Sequence, residues 1–180
     1  MNALFNFMQI EAEIVKRLEF VTQNDVQNGT QSIPAWCKKV GTLQYVNFIQ
    51  EAKQVTPALY VVYQGKTVAA QGTRSMDAHR WAVVLAIKHA ADQKSTDYLN
   101  NIAGLYLAQV QAAFKGFTPA GAVEMLKEVT PPAPYYNSGF AYFPLMFEAK
   151  VLQSSKFGSG IAKPSDTNRD VLTDRVNDYS

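Results

Sequence analysis

The sequence predicts an α+β fold in which a sheet buries one face under helices, as a single domain of residues 1–152. Three observations lead to this prediction. Two short apolar runs rich in Val, Tyr and Trp have the composition of neighbouring strands. Two longer stretches repeat their apolar residues at the helical period. After Leu152 the composition shifts to Gly, Ser, Pro, Asp and Asn, so residues 153–180 are expected to form an extended tail outside the core.

The centre of the sheet is predicted at residues 57–65, PALYVVYQG, and residues 80–89, RWAVVLAIKH. Alternation places the large side chains of the second run on one face, which is expected to pack under helices. This face carries His79, Trp81, Val83, Leu85, Ile87 and His89. The opposite face is mixed in character and is expected to meet solvent or another subunit. It carries Arg80, Ala82, Val84, Ala86 and Lys88.

The polar connection between these runs, residues 65–79, is too long for a tight turn. It is either a mobile loop or a strand-like extension that reaches beyond the sheet, and such an extension often makes a contact. Its basic residues Lys66 and Arg74 have the charge to meet phosphate, but two dispersed charges are more simply explained by solvation.

The helices are predicted at residues 3–20 and 95–114. The first has an apolar stripe with few basic residues beside it, so it is expected to cover the core of its own domain and not a membrane surface. The second begins at the capping residues 95–97 and ends at Lys115–Gly116. Its stripe is expected to pack on the Trp81 face of the sheet.

Three further segments have weaker or mixed patterns. Residues 21–53 carry no clear period, although Trp36, Tyr45, Phe48 and Ile49 are expected in the core. Residues 122–129 fit a helix or a strand, and the prolines that follow enforce an extended connection. Residues 139–152 alternate as a strand, and Pro144 predicts that this strand lies at an edge or contains a bulge.

Composition limits the function classes. A formal charge of +2 is too small to indicate a nucleic-acid surface. The single cysteine, Cys37, excludes an intramolecular disulfide and fits a reducing compartment. The N-terminus lacks the pattern of a secretory signal, and no window approaches the roughly 20 apolar residues of a membrane span. We therefore expect a cytosolic, soluble chain with no membrane partner.

No catalytic, cofactor or metal motif emerges from the sequence. There is no Walker loop and no nucleophile elbow. His79 and His89 would lie roughly 33 Å apart at opposite ends of one strand, so they cannot share an ion within a subunit. Cys37 precedes Lys38 and Lys39, which would favour a thiolate, but a buried or incidental cysteine is the simpler interpretation. The residues therefore indicate no catalytic, cofactor or metal site.

Five segments carry a family resemblance across residues 9–151: QIEAEIVKRLE, PALYVVYQG, RWAVVLAIKHA, the helix that runs to FKGF, and GFAYFPLMFEAKV. In these spaced apolar and glycine positions the chain resembles the tail terminators of Mu-like bacteriophages, the group of the Mu gene product 37. The resemblance implies a mainly antiparallel sheet flanked by helices on one face. It also implies a non-enzymatic structural virion protein of the tail and neck, without cofactors and assembled in the host cytoplasm.

The resemblance further implies a homo-oligomeric ring, expected to be a hexamer, that caps the tail tube, stops its polymerisation and joins the head. Its expected partners are other copies of itself, the tail tube protein and the head–tail connector, and DNA would pass through the lumen without specific binding. The expected subunit-interface residues lie in the connection, on the mixed face and in the tail. They are Lys66, Thr67, Val68, Arg74, Met76, Arg80, Lys88, Phe157, Val171 and Leu172.

Two alternative functions remain open from the sequence. Another neck component, such as a head-completion or connector protein, would share the small α/β character, and binding to portal-side proteins would distinguish it. A soluble small-ligand-binding domain is the more distant alternative, and a strict monomer with an occupied apolar pocket would favour it.

Overall fold

A computed structural model of the chain describes residues 6–20, 36–43, 55–70, 76–88, 96–137 and 139–152. These residues form two helices and six strands in an α+β arrangement. In chain order the elements are α1 (Phe7–Phe20), β1 (Lys39–Thr42), β2 (Ala58–Ala70), β3 (Met76–Lys88), α2 (Thr96–Phe114), β4 (Lys127–Val129), β5 (Tyr135–Asn137) and β6 (Phe140–Leu152). The predicted tail lies outside the described residues.

The strands form one sheet in the order β1-β2-β3-β6-β4, and β5 also pairs with β6. All described pairings are antiparallel except β1 with β2, which is parallel. Strand β3 is paired along its whole length, from Met76 opposite Leu152 to Lys88 opposite Phe140 on the β6 side. The sheet is therefore mainly antiparallel, as expected, with β3 at its centre.

The described parts of the long β2–β3 connection, residues 65–70 and 76–79, are strand-like, which favours the extension over the loop for these residues. Pairing continues past the predicted strand end, through Lys66 opposite His79, to Ala70 opposite Met76. The register shifts between Tyr63 and Gly65, where Gly65 adopts a φ of 95°, a backbone conformation that favours glycine. Two thirteen-residue strands thus extend the sheet well beyond its centre.

Both helices cover the same face of the sheet, which confirms the predicted packing. On this face β3 contributes Trp81, Val83 and Leu85, all fully buried. Helix α1 adds Ile10, Ile14 and Leu18, and α2 adds Ala103, Val110 and Phe114 to the same cluster. Helix α1 starts where the side chain of Asn6 accepts a hydrogen bond from the Met8 amide at 3.0 Å, as an N-cap does.

The opposite face differs from its prediction. Ala82 is 3% exposed and Val84 is 1% exposed, so the expectation that the centre of this face meets solvent is wrong. The alternative, contact with another subunit, stays a prediction. Neighbouring Tyr and Val side chains of β2 and β6 pack around these two small residues. A pocket of about 270 Å³ remains beside them, lined also by Pro132, Tyr135 and Met146. On this face of β3 only Arg80 and the last residue, Lys88, are exposed.

The outer edge of β6 is discontinuous. Strand β4 pairs with residues 146–148 of β6, and β5 pairs with residues 140–142. Between them the chain passes through Pro131, Pro132 and Pro134, which have no amide hydrogen, and it forms no regular structure there. Pro144 of β6 lies opposite this interruption, where no described strand pairs with β6 on its outer side. The prediction of an edge position is therefore correct at Pro144, although β6 as a whole is an inner strand.

The weakly patterned segment contains one short strand and one buried aromatic residue in its described part. Trp36 is buried, its ring stacks on Tyr106 at 3.9 Å, and its indole N–H donates to Gln109 Oε1 at 2.6 Å. This confirms the expectation for Trp36. Tyr45, Phe48 and Ile49 lie outside the described residues.

Candidate subunit interface

The end of the sheet farthest from β5 consists of residues 63–70 and 76–80, which we call the outer hairpin. At its edge the ammonium of Lys66 lies 2.6 Å from a carboxylate oxygen of Asp77. The Asp77 side chain is buried whereas Lys66 is more than half exposed. The hydrogen bond to Asp77 raises the pKa of Lys66. This pair ties β2 to β3 while leaving a cation at the surface.

An aromatic cluster joins the outer hairpin to the start of α1. The Tyr63 hydroxyl lies 2.9 Å from Nδ1 of His79, a buried residue inside β3. Phe7 stacks on Tyr63 with ring centroids 4.3 Å apart, and Trp81 lies on the other side at 5.5 Å. Burial lowers the pKa of His79, against the opposite influence of Asp77. His79 thus contacts a neighbouring strand through its ring and lies inside β3, not at the predicted strand end. His89 lies outside the described residues.

The structure brings half of the predicted interface residues together. Lys66, Thr67, Val68, Met76 and Arg80 all belong to the outer hairpin. Lys88 lies at the other end of β3, roughly 26 Å of extended strand away from Arg80, so it belongs to a different surface. The other four predicted residues lie outside the described part of the chain. They are Arg74, Phe157, Val171 and Leu172.

Within the hairpin the predicted residues are not equally free to contact a partner. Thr67 is exposed, and Met76 is half-buried. Val68 pairs through its backbone with Asp77. Arg80 is exposed, but its guanidinium already donates to Glu148 of the neighbouring strand at 2.9 Å. Lys66 and Thr67 are therefore the best placed of these side chains to reach another molecule.

The outer edge of β2 is only partly covered. Strand β1 pairs with Ala58–Val61, and the Leu43 amide donates to the Val61 carbonyl. Within the described residues no strand pairs with residues 62–70 on this side. A strand paired on one side presents backbone donors and acceptors that can bind another chain. This edge therefore adds hydrogen-bonding capacity to the side chains of the outer hairpin.

A second exposed region lies on the opposite edge of the sheet, in the loop before β4. Val123 is 50% exposed and Met125 is 56% exposed. The loop is held in place because the Val123 amide donates to the Lys150 carbonyl at 2.8 Å, and Glu124 pairs with the Lys150 ammonium at 2.7 Å. The pattern of residues 122–129 fits a helix or a strand, but only Lys127–Val129 forms a strand and residues 122–126 form a loop. No motif marks Val123 or Met125 in the sequence.

The described residues offer little for catalysis or metal binding. They contain no group of three or more His, Cys, Asp or Glu side chains able to hold a metal ion. Cys37 is half-buried, and its thiol lies 3.1 Å from the Lys39 carbonyl. Burial raises the pKa of this thiol, which fits the incidental interpretation of the cysteine. Neither described helix is long and apolar enough to cross a membrane.

The partly uncovered edge of β2 and the exposed side chains at both edges of the sheet are features of a protein-binding surface. The family model of the phage tail terminator protein matches residues 26–155. The chain therefore belongs to the phage tail terminator family and is a structural component of the virion tail. The match confirms the resemblance at this level, and the narrower Mu-like group stays a prediction.

Twenty-two chains of solved structures also match. One of them belongs to a structure described as the virion of a native gene transfer agent (GTA) particle. It is 14% identical, with a TM-score of 0.49, and the match covers 85% of this chain and 100% of that chain. A search of the curated proteins finds no match.

Proposed function

We propose that this chain forms a closed ring, with six copies as the expected number, that caps the finished tail tube. The ring stops tube polymerisation and presents the surface to which the head is joined. Membership of the tail terminator family is the observation that carries this proposal. Its physical basis is that a ring subunit uses two different surfaces, one for each neighbour, and closure leaves no free end to extend.

The outer hairpin supplies one of these surfaces. Its position is fixed by the Lys66–Asp77 pair and by the contact between Tyr63 and His79, so little order has to be gained on binding. It nevertheless exposes Lys66, Thr67 and one strand edge. A rigid extension with free polar groups is well suited to contact a neighbouring subunit.

The remaining partners follow from the place of a terminator in the virion. The tail tube protein would bind one side of the ring, and the connector or another neck protein would bind the other. DNA would pass through the lumen without being held, which agrees with a formal charge of only +2 per chain. We place residues 1–152 in one domain and propose that residues 153–180 act as an arm on a neighbouring subunit.

Mass photometry and negative-stain imaging of the purified full chain test the ring directly. We expect closed particles of about six copies. A strict monomer at every concentration would contradict the proposal. Addition of purified tail tubes separates the proposed role from that of another neck component. A terminator binds tube ends and halts their growth, whereas a head-completion protein binds portal-side proteins instead.

A truncation separates the role of the arm from that of the domain. A chain shortened at Ser155 should fold with an unchanged thermal transition, because the described core ends at Leu152. Its rings should form only at higher protein concentration. If the shortened chain assembles as readily as the full chain, the arm makes no contribution to the ring.

A further inference from the structure

The pocket beside Ala82 and Val84 lies on the face of the sheet opposite the two described helices. These two residues of β3 form its floor together with their cross-strand partners on β6, Met146 and Pro144. Its volume of about 270 Å³ lies below the roughly 300 Å³ at which pockets for drug-sized ligands begin. A space of this size is suited to one large side chain of another chain segment.

The irregular chain between β4 and β5 forms the outer wall of this pocket. It contributes Pro132, Ala133 and Tyr135, which are all exposed residues. The nitrogen atoms of Pro132 and Pro144 carry no hydrogen, so the wall and the floor offer few backbone donors to a polar ligand. Tyrosine and methionine side chains both make favourable contacts with an aromatic ring. The lining therefore favours an aromatic side chain as the occupant.

The sequence after Leu152 supplies such a side chain. Phe157 lies in the run SKFGSG, in which its neighbours are serine, lysine and glycine. The other aromatic residue of residues 153–180 is Tyr179, 22 positions farther along the chain. A segment of this composition has too little apolar surface to bury a phenylalanine by itself. Phe157 therefore depends on a pocket elsewhere if it is to leave water.

The reach of the chain decides which copy provides the phenylalanine. Leu152 is the last residue of β6 and lies six residues beyond Met146, or roughly 20 Å along the strand. Phe157 follows Leu152 by five residues, which span at most about 18 Å when fully extended. The chain would also have to reverse its direction to return along the sheet. Phe157 is thus too near the end of β6 to enter the pocket of its own subunit.

We infer that Phe157 of one copy inserts into the pocket of a neighbouring copy, between the proline-containing wall and the floor formed by β3 and β6. The inference rests on the proposed ring and its arm, and it names the site that receives the arm. Each copy donates one phenylalanine and accepts one, so donor and acceptor surfaces differ. A contact of this heterologous kind is what a closed ring requires.

Substitutions on both sides of the contact test it in the full chain. Phe157→Ala removes the inserted ring and should raise the protein concentration needed for assembly by roughly tenfold or more. Ala133→Trp fills the pocket from its exposed wall and should have a similar effect. Ile161→Ala is the control within the arm. Ala108→Trp, at an exposed alanine of α2 on the other side of the sheet, is the control for bulk. Mass photometry should show unchanged assembly for both controls.

Crosslinking identifies the copy that receives the arm. Cys37 is the only native cysteine, so Cys37→Ser gives a background for Ser159→Cys and Ala133→Cys, which leave Phe157 in place. With a short bis-maleimide reagent, a mixture of the two single-cysteine chains should give the mixed dimer. A chain that carries both cysteines should give a ladder of covalent oligomers. A chain with Ser159→Cys and Ala108→Cys should give no ladder.

The outcomes separate this contact from the ring itself. A wild-type chain that stays monomeric overturns the ring and the contact together. A wild-type ring that assembles equally well with Phe157→Ala overturns the contact alone. A crosslinked monomer in place of the ladder assigns the arm to its own subunit and overturns the exchange between copies. If Ala133→Trp lowers the thermal transition, the crosslinks decide, because Ala133→Cys adds only one sulfur atom.

Discussion

The two halves of strand β3 are stabilised in different ways. From Trp81 to Ile87 every side chain is buried, and apolar neighbours surround the strand on both faces. From Met76 to Arg80 the strand carries three polar side chains, Asp77, His79 and Arg80, each with a specific partner. The inner half is stabilised by buried apolar area and close packing, whereas the outer half is stabilised by individual ion pairs and hydrogen bonds. Substitutions in the inner half should therefore cause larger losses of unfolding free energy than substitutions in the outer half, and by a different mechanism.

The largest effect is expected in the inner core. Val110→Asp buries an uncompensated charge between α2 and the sheet and should cost about 4 kcal/mol, enough to unfold most of the protein. Leu107, on the same helix, is only half-buried, so its substitution should be milder. Leu105→Asp, on the exposed side of α2, is the control. Circular dichroism during thermal unfolding makes the comparison, and an unchanged transition for Val110→Asp would contradict the described packing.

A smaller effect is expected where α2 meets the buried indole. Trp36→Phe removes the donor to Gln109 and leaves its buried amide without that bond, which should cost about 1–3 kcal/mol. Adding Gln109→Leu should recover part of the loss, since it removes the unpaired group. Urea unfolding of the single and double variants measures this. An equal loss of unfolding free energy in the single and the double variant would mean that the hydrogen bond between Trp36 and Gln109 contributes little.

The outer half should be sensitive to pH through His79. Burial lowers the pKa of His79 in the folded state, so the unfolded chain binds a proton more readily. Stability should therefore be fully present above about pH 6.5 and should decline as pH falls below that value. His79→Gln should flatten this decline in urea midpoints measured across the range. The conclusion fails if wild type and variant follow parallel curves.

The smallest effect is expected at the exposed ion pair of the outer hairpin. Arg80→Ala removes the partner of Glu148, and because Arg80 is exposed the folded chain should lose less than about 1 kcal/mol. Lys88→Ala, at the other end of the strand, serves as a comparison. Urea unfolding measures the effect. A loss of several kcal/mol from Arg80→Ala would contradict the proposed difference between the inner and outer halves of β3.

Periodicity explains which elements could be predicted. The second helix was expected at residues 95–114 and spans Thr96–Phe114, because its cap and its terminating Gly116 are local signals. The alternation around Trp81 likewise identified the buried face. Strand β1 could not be predicted, since its four residues KVGT depend on pairing with the distant β2. Burial of Ala82 and Val84 also depends on neighbours from other strands.

The candidate interface was predictable only in part. The length and polarity of the β2–β3 connection indicated a contact surface, and four of its predicted residues lie in the outer hairpin together with Arg80 of the mixed face. The second exposed region, in the loop before β4, had no such signal. Val123 and Met125 lie in an irregular loop, and they become a surface only because hydrogen bonding to Lys150 holds that loop against β6.

The prolines beside β6 limit how a free subunit can pair with other chains before assembly. A strand edge left open on a free subunit can pair with other chains at random before assembly. An edge broken by Pro131, Pro132 and Pro134 cannot template a continuous strand from a second molecule. The interrupted edge would thereby protect this side of a free subunit from indiscriminate aggregation.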